Sequence, residues 1–305
     1  FTIFNSPQAL LVHVFGTLTC TGAVLHCQTC IMDVLPSFQW HSGSFEEKTI
    51  FWMCTALNGS FILAALALSC GVTSPYGRYN QGSETRSPLM QLLASCNVNA
   101  KVAWVLQESP TVVAAGLSWW FGSEACTTSL GNCAVLLCFV IHYVNRSFIY
   151  PLRMKGSKPF PLPVMMMAMM FCALNGYIQC RSLTRFLLIP MNSTTCLGIL
   201  TWMLGLYINV DADHRLRNLR KPGESGYKIP RGGMFDYISG ANFFGEILEW
   251  TGFAIAMQGA LPGITFAFCT ACNIGPRAIS HHQWYLDKFK DEYPKERRAL
   301  VPFLL

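Results

Sequence analysis

Carboxyl groups stand in this chain where an apolar run can least accommodate them. Glu108 follows Gln107 in AWVLQESP, with Pro110 next but one. A buried carboxyl without a counter-charge tends to keep its proton. A protonated carboxyl donates a hydrogen bond, which suits a carbonyl oxygen. Other polar groups recur in apolar surroundings: His142, Tyr143 and Arg146; Asn175 and Gln179; Asn209, Asp211 and Asp213; Asn242, Glu246 and Glu249. Spacings of three or four residues place Tyr143 with Arg146, Asn209 with Asp213 and Arg217, Asn242 with Glu246, and His281 with Tyr285 on common helix faces. Arg217, Arg220, Lys221, Lys228 and Arg231 lie among glycines, a composition that suits an anion. Each set also has a plainer use. Asn175 and Gln179 can bond a neighbouring helix. Glu246 and Glu249 serve equally as partners of nearby arginines. The basic stretch equally marks one side of a membrane.

The elements that must carry these residues follow from composition. The chain has 305 residues, 52% hydrophobic and only 12% charged, against about 25% charged in soluble domains. Apolar stretches near the roughly 20 residues needed to span a bilayer occupy 50–72, 101–121, 132–151, 161–180, 194–210, 240–257 and 259–274. A weaker stretch, 10–25, is interrupted by His13 and closed by His26, and no basic segment precedes it as in a signal peptide. Basic residues fall after alternate spans: Arg78, Arg86 and Lys101; Arg153, Lys155 and Lys158; Arg215 to Arg231; and Arg277 to Arg298. The opposite loops hold only Arg181 and Arg185. By the positive-inside rule this predicts seven spans with a cytosolic C-terminus. The net charge of +6 therefore reads as topology, not as nucleic-acid binding.

The expected fold is an all-α integral membrane protein, with seven transmembrane helices around a shared cavity. Polar stretches at 73–100, 151–160, 211–239 and 284–305 are too short for a separate soluble domain, which starts near 50 residues. Most of the 14 cysteines lie in the predicted spans, where cysteine acts as a small hydrophobe. Cys27-x-x-Cys30 and Cys269-x-x-Cys272 are lone pairs, so no metal site is expected. Neither G-x-G-x-x-G nor a P-loop occurs, so any nucleotide must bind by another architecture.

The stretch LRKPGESGYKIPRGGMFDYISGANFFGEILEW at 219–250 closely resembles the C-terminal signature of steroid 5-alpha-reductases, nearest to their type 1 form. The resemblance extends to AWVLQESP at 103–110, HYVNRSFIYP at 142–151, MFCALNGY at 170–177 and HHQWYLDKFKDEYPKERRALVPFL at 281–304. It covers roughly residues 73–305 and leaves 1–49 as an N-terminal extension. It implies a seven-helix domain over 50–305 with a cofactor-binding half from about 190, in the endoplasmic reticulum membrane. It also implies NADPH-dependent reduction of the C4–C5 double bond of 3-oxo-4-ene steroids: testosterone, progesterone and androstenedione. The motifs then place Glu108 and Tyr143 at the steroid 3-keto oxygen as the catalytic pair. Gln107, Tyr76, Phe171 and Trp250 would bind substrate. Ser74, Arg146, Asn209, Asp213, Arg220, Tyr227, Lys228, Asn242, Glu246, His281 and Tyr285 would bind cofactor.

The chain also departs from that pattern. Asp211-Ala212-Asp213 replaces the family's His-Ser-Asp, which loses a histidine and sets an extra carboxylate beside an anionic cofactor. Asn273 and Pro276 stand where apolar residues are expected, and Lys228 stands for an arginine of one isozyme. Two other classes compete: a related membrane reductase of polyprenol or trans-2-enoyl-CoA, and a non-catalytic sterol-binding protein. Asn192-Ser193-Thr194 is a glycosylation sequon on the expected lumenal side.

Overall fold

The computed structural model describes residues 43–70, 96–155, 159–220, 224 and 226–305. The weak apolar run at 10–25, the Cys27/Cys30 pair, Ser74 and Tyr76 lie outside the described residues. Every expected apolar stretch coincides with a helix: α1 Phe45–Ser69, α2 Ala100–Trp120, α3 Leu130–Val144, α4 Leu162–Arg181, α5 Ser193–Asn218, α6 Ala241–Ala256 and α7 Leu261–Phe289.

Local chemistry explains where several of them start. Ser44 and Glu47 form a reciprocal capping box at α1. Asn99 accepts the Lys101 amide at 3.0 Å at α2. Asn192 accepts the Thr195 amide at 3.0 Å at α5. Proline occupies the first turn of α4 and of α7, where its missing N–H costs nothing. One π-helical turn, Asn145–Ile149, continues α3, and another, Ser182–Phe186, continues α4. Each inserts an extra residue per turn and re-aims the side chains beyond it.

Among the described residues, four helical segments are long and apolar enough to cross a membrane: Phe45–Ser69, Leu130–Arg153, Leu162–Phe186 and Ser193–Asn218. The other three expected spans form helices of different character. α2 carries Lys101, Gln107, Glu108 and Pro110. α6 has only 16 residues and two glutamates. α7 runs 29 residues, but its second half holds Arg277, His281, His282, Asp287 and Lys288.

The described chain forms two compact units, one from the residues up to 70 with Leu200–Leu305, the other within Val72–Ile199. In the second unit, α2 packs along α4. Gly176 makes this possible, since a Cβ there would lie 3.0 Å from the Thr111 Cα. The Thr111 hydroxyl donates to the Cys172 carbonyl at 3.1 Å, a buried bond across the same contact. A two-residue antiparallel pairing of Asn97–Val98 with Phe160–Pro161 ties the starts of these helices together. Asn132, at the start of α3, donates to the Leu183 and Leu187 carbonyls and accepts from the Ile189 amide at 2.8 Å. That uses the side chain's donors and acceptor to fix the turn after α4.

In the first unit, α5 and α6 cross backbone to backbone. A Cβ on Gly205 would lie 2.2 Å from the Glu249 amide nitrogen, and one on Gly245 would lie 2.5 Å from the Asn209 nitrogen. Small residues at such a crossing are the usual route to close helix association in membranes. α7 packs on α1, where the Asn58 amide donates to Thr265 at 3.2 Å. α7 also packs on α6 through Trp250 and Phe266, whose rings lie 4.1 Å apart.

Candidate active site

The expected catalytic pair and its neighbours lie in the unit of α2, α3 and α4. Glu108 is half-buried on α2, beside the buried stripe of Ala103, Gln107, Thr111 and Ala115. The Cys172 thiol on α4 donates to the Glu108 carboxyl at 3.5 Å. The contact of α2 with α4 thus sets the position of Glu108, and Cys172 is a neighbour that the motif reading missed. Its only sequence signal was its place in FCALNGY, three residues before Asn175. Tyr143 is 3% exposed and packs against Phe139 at 4.8 Å and His142 at 5.1 Å.

Arg146 stands one turn beyond Tyr143, at the opening of the π-helical turn. Its guanidinium lies over the rings of Trp104 and Tyr150, at 4.5 and 4.8 Å. Trp104 is one turn before Glu108 on α2, so a single cation–π arrangement relates the two motifs. Gln107 is 4% exposed, and its side-chain oxygen has no hydrogen-bond partner among the described residues. Gln179 donates to Asn175 within α4 at 3.1 Å, which accords with their plainer structural use. Phe171 is half-buried on α4.

The expected cofactor residues, apart from Arg146 and Ser74, lie in the unit of α5, α6 and α7. The Gly205/Gly245 crossing sets Asn209 against α6, where its amide donates to the Asn242 carbonyl at 2.9 Å. Asn242 and Glu246 follow one another along α6 and remain half-buried, whereas Glu249 is fully buried at the crossing. Asp213 is half-buried on α5, and Arg220 is exposed just beyond it. Arg220 reaches the Gly226 carbonyl at 3.5 Å. Lys228 is ion-paired with Glu224, and Tyr227 meets Trp284 edge-on at 4.7 Å. His281 packs on Phe243 at 5.3 Å. Tyr285 is 4% exposed and stacks on Tyr293 at 5.3 Å. Trp250 is 1% exposed among Phe253 and Phe266, so the described packing places it in the helix core.

Two features of this unit were not legible in the motifs. Asp211 forms an ion pair with Arg215 at 2.7 Å, so the extra carboxylate has a cation of its own. The pair abuts Gly232 and Gly233, both at positive φ; a Cβ there would strike the Arg215 guanidinium or the Asp211 carboxylate. The second feature is a knot at the start of α6. The Ser239 hydroxyl lies 2.6 Å from His282 Nδ1 and 2.7 Å from the Tyr293 hydroxyl. Burial and the nearby Arg298 charge push the His282 pKa below its ordinary value.

The residue types suit a phosphorylated dinucleotide. Exposed Arg220, Lys228 and Arg231 would offer cations to phosphate oxygens, while Asn242, Glu246 and Asp213 would offer groups to hydroxyls and a carboxamide.

Comparison with known proteins gives these residues a family. A profile of the 3-oxo-5-alpha-steroid 4-dehydrogenases matches residues 158–305. Mouse (Mus musculus) 3-oxo-5-alpha-steroid 4-dehydrogenase 1 is 46% identical over 239 residues, covering 77% of this chain and 89% of that protein. The human (Homo sapiens) type 1 protein is 43% identical over 249 residues, covering 80% and 95%. The rat (Rattus norvegicus) type 2 protein is 41% identical over 261 residues, covering 81% and 96%. At such identity over most of each relative, the chain belongs to the 3-oxo-5-alpha-steroid 4-dehydrogenase family of oxidoreductase enzymes.

Proposed function

We propose that this enzyme reduces the C4–C5 double bond of 3-oxo-4-ene steroids such as testosterone, progesterone and androstenedione, with NADPH as cofactor. Its setting is the endoplasmic reticulum membrane, crossed seven times with the C-terminus in the cytosol. The observation that carries the reading is Glu108. It is a half-buried carboxyl in an apolar helix, touched by Cys172, in a chain similar to 3-oxo-5-alpha-steroid 4-dehydrogenases of types 1 and 2.

NADPH, when bound, supplies the hydride that C5 of the steroid receives. The protein's part is to accommodate the charge that this pushes through the enone to O3. Glu108 and Tyr143 donate hydrogen bonds to that oxygen, as an oxyanion hole does, and C4 of the resulting enolate then takes a proton from water. The α2/α4 contact holds Glu108 in place, and helix packing holds Tyr143, so little reorganisation is needed as charge develops. Gln107 and Phe171 line an apolar slot with few polar anchors, as a flat tetracyclic substrate requires. Asn209, Asp213, Asn242, Glu246, His281 and Tyr285 hold the nucleoside and nicotinamide parts of the cofactor. Arg220, Tyr227 and Lys228 hold its phosphate-bearing part.

Membranes containing this chain should convert testosterone to its 5-alpha product with NADPH, and poorly with NADH. No product with cofactor bound would point instead to a polyprenyl or enoyl-CoA substrate. Glu108→Gln keeps the shape and one donor, but an amide is a far weaker acid than a carboxyl. Turnover should fall roughly a hundredfold with NADPH affinity unchanged; undiminished turnover would remove Glu108 from the mechanism. Glu246→Ala should weaken NADPH binding about tenfold or more, the usual cost of losing a charged hydrogen bond. An unchanged dissociation constant would reject its cofactor role.

A further inference from the structure

The start of α6 lacks the device that begins several of the other helices. Gly240 stands at its cap position and offers no side-chain hydrogen bond. The position is fixed instead by the C-terminal segment. The Ser239 amide donates to the Arg298 carbonyl at 2.8 Å, the Gly240 amide to the Ala299 carbonyl at 2.9 Å, and the Arg298 amide to the Tyr237 carbonyl at 3.0 Å. Around this short pairing the Ser239 hydroxyl meets His282 Nδ1 at 2.6 Å, the Tyr293 hydroxyl at 2.7 Å and the Arg298 carbonyl at 3.2 Å. A hydroxyl has one proton and two lone pairs, so three partners use it fully. Ser239 is 5% exposed and Tyr293 1%, so water does not readily replace a lost partner.

Each member of this knot adjoins a residue of the proposed cofactor face. Ser239 is three residues before Asn242, in the first turn of α6. His282 follows His281 on α7. Tyr293 stacks against Tyr285 with the ring planes 10° apart. We propose that Ser239 is a positioning residue: through His282 and Tyr293 it fixes α6 against α7, and so holds Asn242, Glu246, His281 and Tyr285 in register for NADPH. The proposal rests on the reading of that face as the cofactor site.

The test is NADPH affinity, measured directly by fluorescence on membranes of the full chain, beside KM values for NADPH and testosterone. Ser239→Ala and Tyr293→Phe remove one hydroxyl each and leave the backbone pairing and the ring stack. Each should raise the NADPH dissociation constant and KM about fivefold, the effect of one lost hydrogen bond, with the testosterone KM unchanged. Ser239→Thr keeps the hydroxyl and should bind NADPH as the parent does. A purely structural hydroxyl would lower the amount of active enzyme and move neither KM, and that result overturns the proposal. Asn242→Ala separates the two layers of inference. If it weakens NADPH binding while Ser239→Ala and Tyr293→Phe do not, only the positioning role fails. If it leaves binding unchanged, the cofactor reading of α6 fails, and the proposal falls with it.

Discussion

Asp211 shows how much of a residue's meaning depends on its partner. By sequence it is a second carboxylate next to an anionic cofactor, and hence a handicap. In the structure it pairs with Arg215 at 2.7 Å, one helical turn on. Both side chains are partly exposed, and water and salt screen such a pair, so it contributes little to stability. Asp211→Asn should therefore change the unfolding midpoint little and leave NADPH affinity within about threefold; a large gain in affinity would restore the repulsion argument. His282 gives a sharper expectation. Its folded pKa lies below the ordinary value because of burial and Arg298, with Ser239 and Tyr293 as its other polar neighbours. The unfolded state then takes up protons first. Stability should be fully present above about pH 6.5, the usual histidine value, and decline as pH falls toward the lower folded value. Thermal midpoints in detergent between pH 7.5 and 5.5 would test this, and His282→Gln should flatten the curve. Glu108, Tyr143, Asn242 and Glu246 were legible as candidates because ionisable and amide groups stand out in apolar runs. Cys172, Ser239 and Tyr293 were not, because their roles arise from contacts between distant segments.

At the scale of elements, glycine sets the helix contacts. Gly205 and Gly245 face each other where α5 crosses α6, and any Cβ would meet backbone atoms at 2.2 to 2.5 Å. Backbone cannot move aside as a flexible side chain can, and overpacking of this kind costs about 1–3 kcal/mol, occasionally more. Gly245→Ala should push the helices apart and break the 2.9 Å bond from Asn209 to the Asn242 carbonyl. It should lower the thermal midpoint by several degrees and weaken NADPH binding together. A variant with parental stability and affinity would show that α5 and α6 can separate without consequence. The helices themselves were legible, since an apolar run of spanning length is conspicuous. Their ends were less so. α5 continues to Asn218 and α7 to Phe289, beyond the apolar runs, because a helix outside the hydrocarbon layer can carry Asp, His and Arg on its faces. The glycine pairing was not legible, because sequence does not say which helices cross.

At the scale of the molecule, the chain's arrangement across the bilayer is the step from parts to whole. Among the described residues four helical segments meet the length and apolarity expected of a span; α2, α6 and α7, which carry Glu108, Asn242, Glu246 and His281, do not, while Tyr143 and Asn209 lie on two of the four. This division has a physical reason: a helix that lines a polar cavity needs less apolar surface than one that faces lipid on all sides. Hydropathy alone therefore undervalues a helix that lines a polar cavity. The basic loops test whether all seven cross. With seven spans, the loops holding Arg153 and Arg217 to Arg231 share the cytosolic side with the tail from Lys288 onward. Single cysteines placed at Arg153, Arg231 and Lys295, in a background that keeps the buried thiols Cys54, Cys172, Cys180 and Cys269, should react with a membrane-impermeant maleimide in sealed, cytosolic-side-out vesicles. A cysteine at Arg185 should react only after the vesicles are opened. If α6 and α7 instead formed one re-entrant pair, the tail label would still react, because two crossings are lost together. A cysteine at Gly259, between those helices, decides the point. It should be protected in sealed vesicles if both helices cross, and labelled at once if neither does.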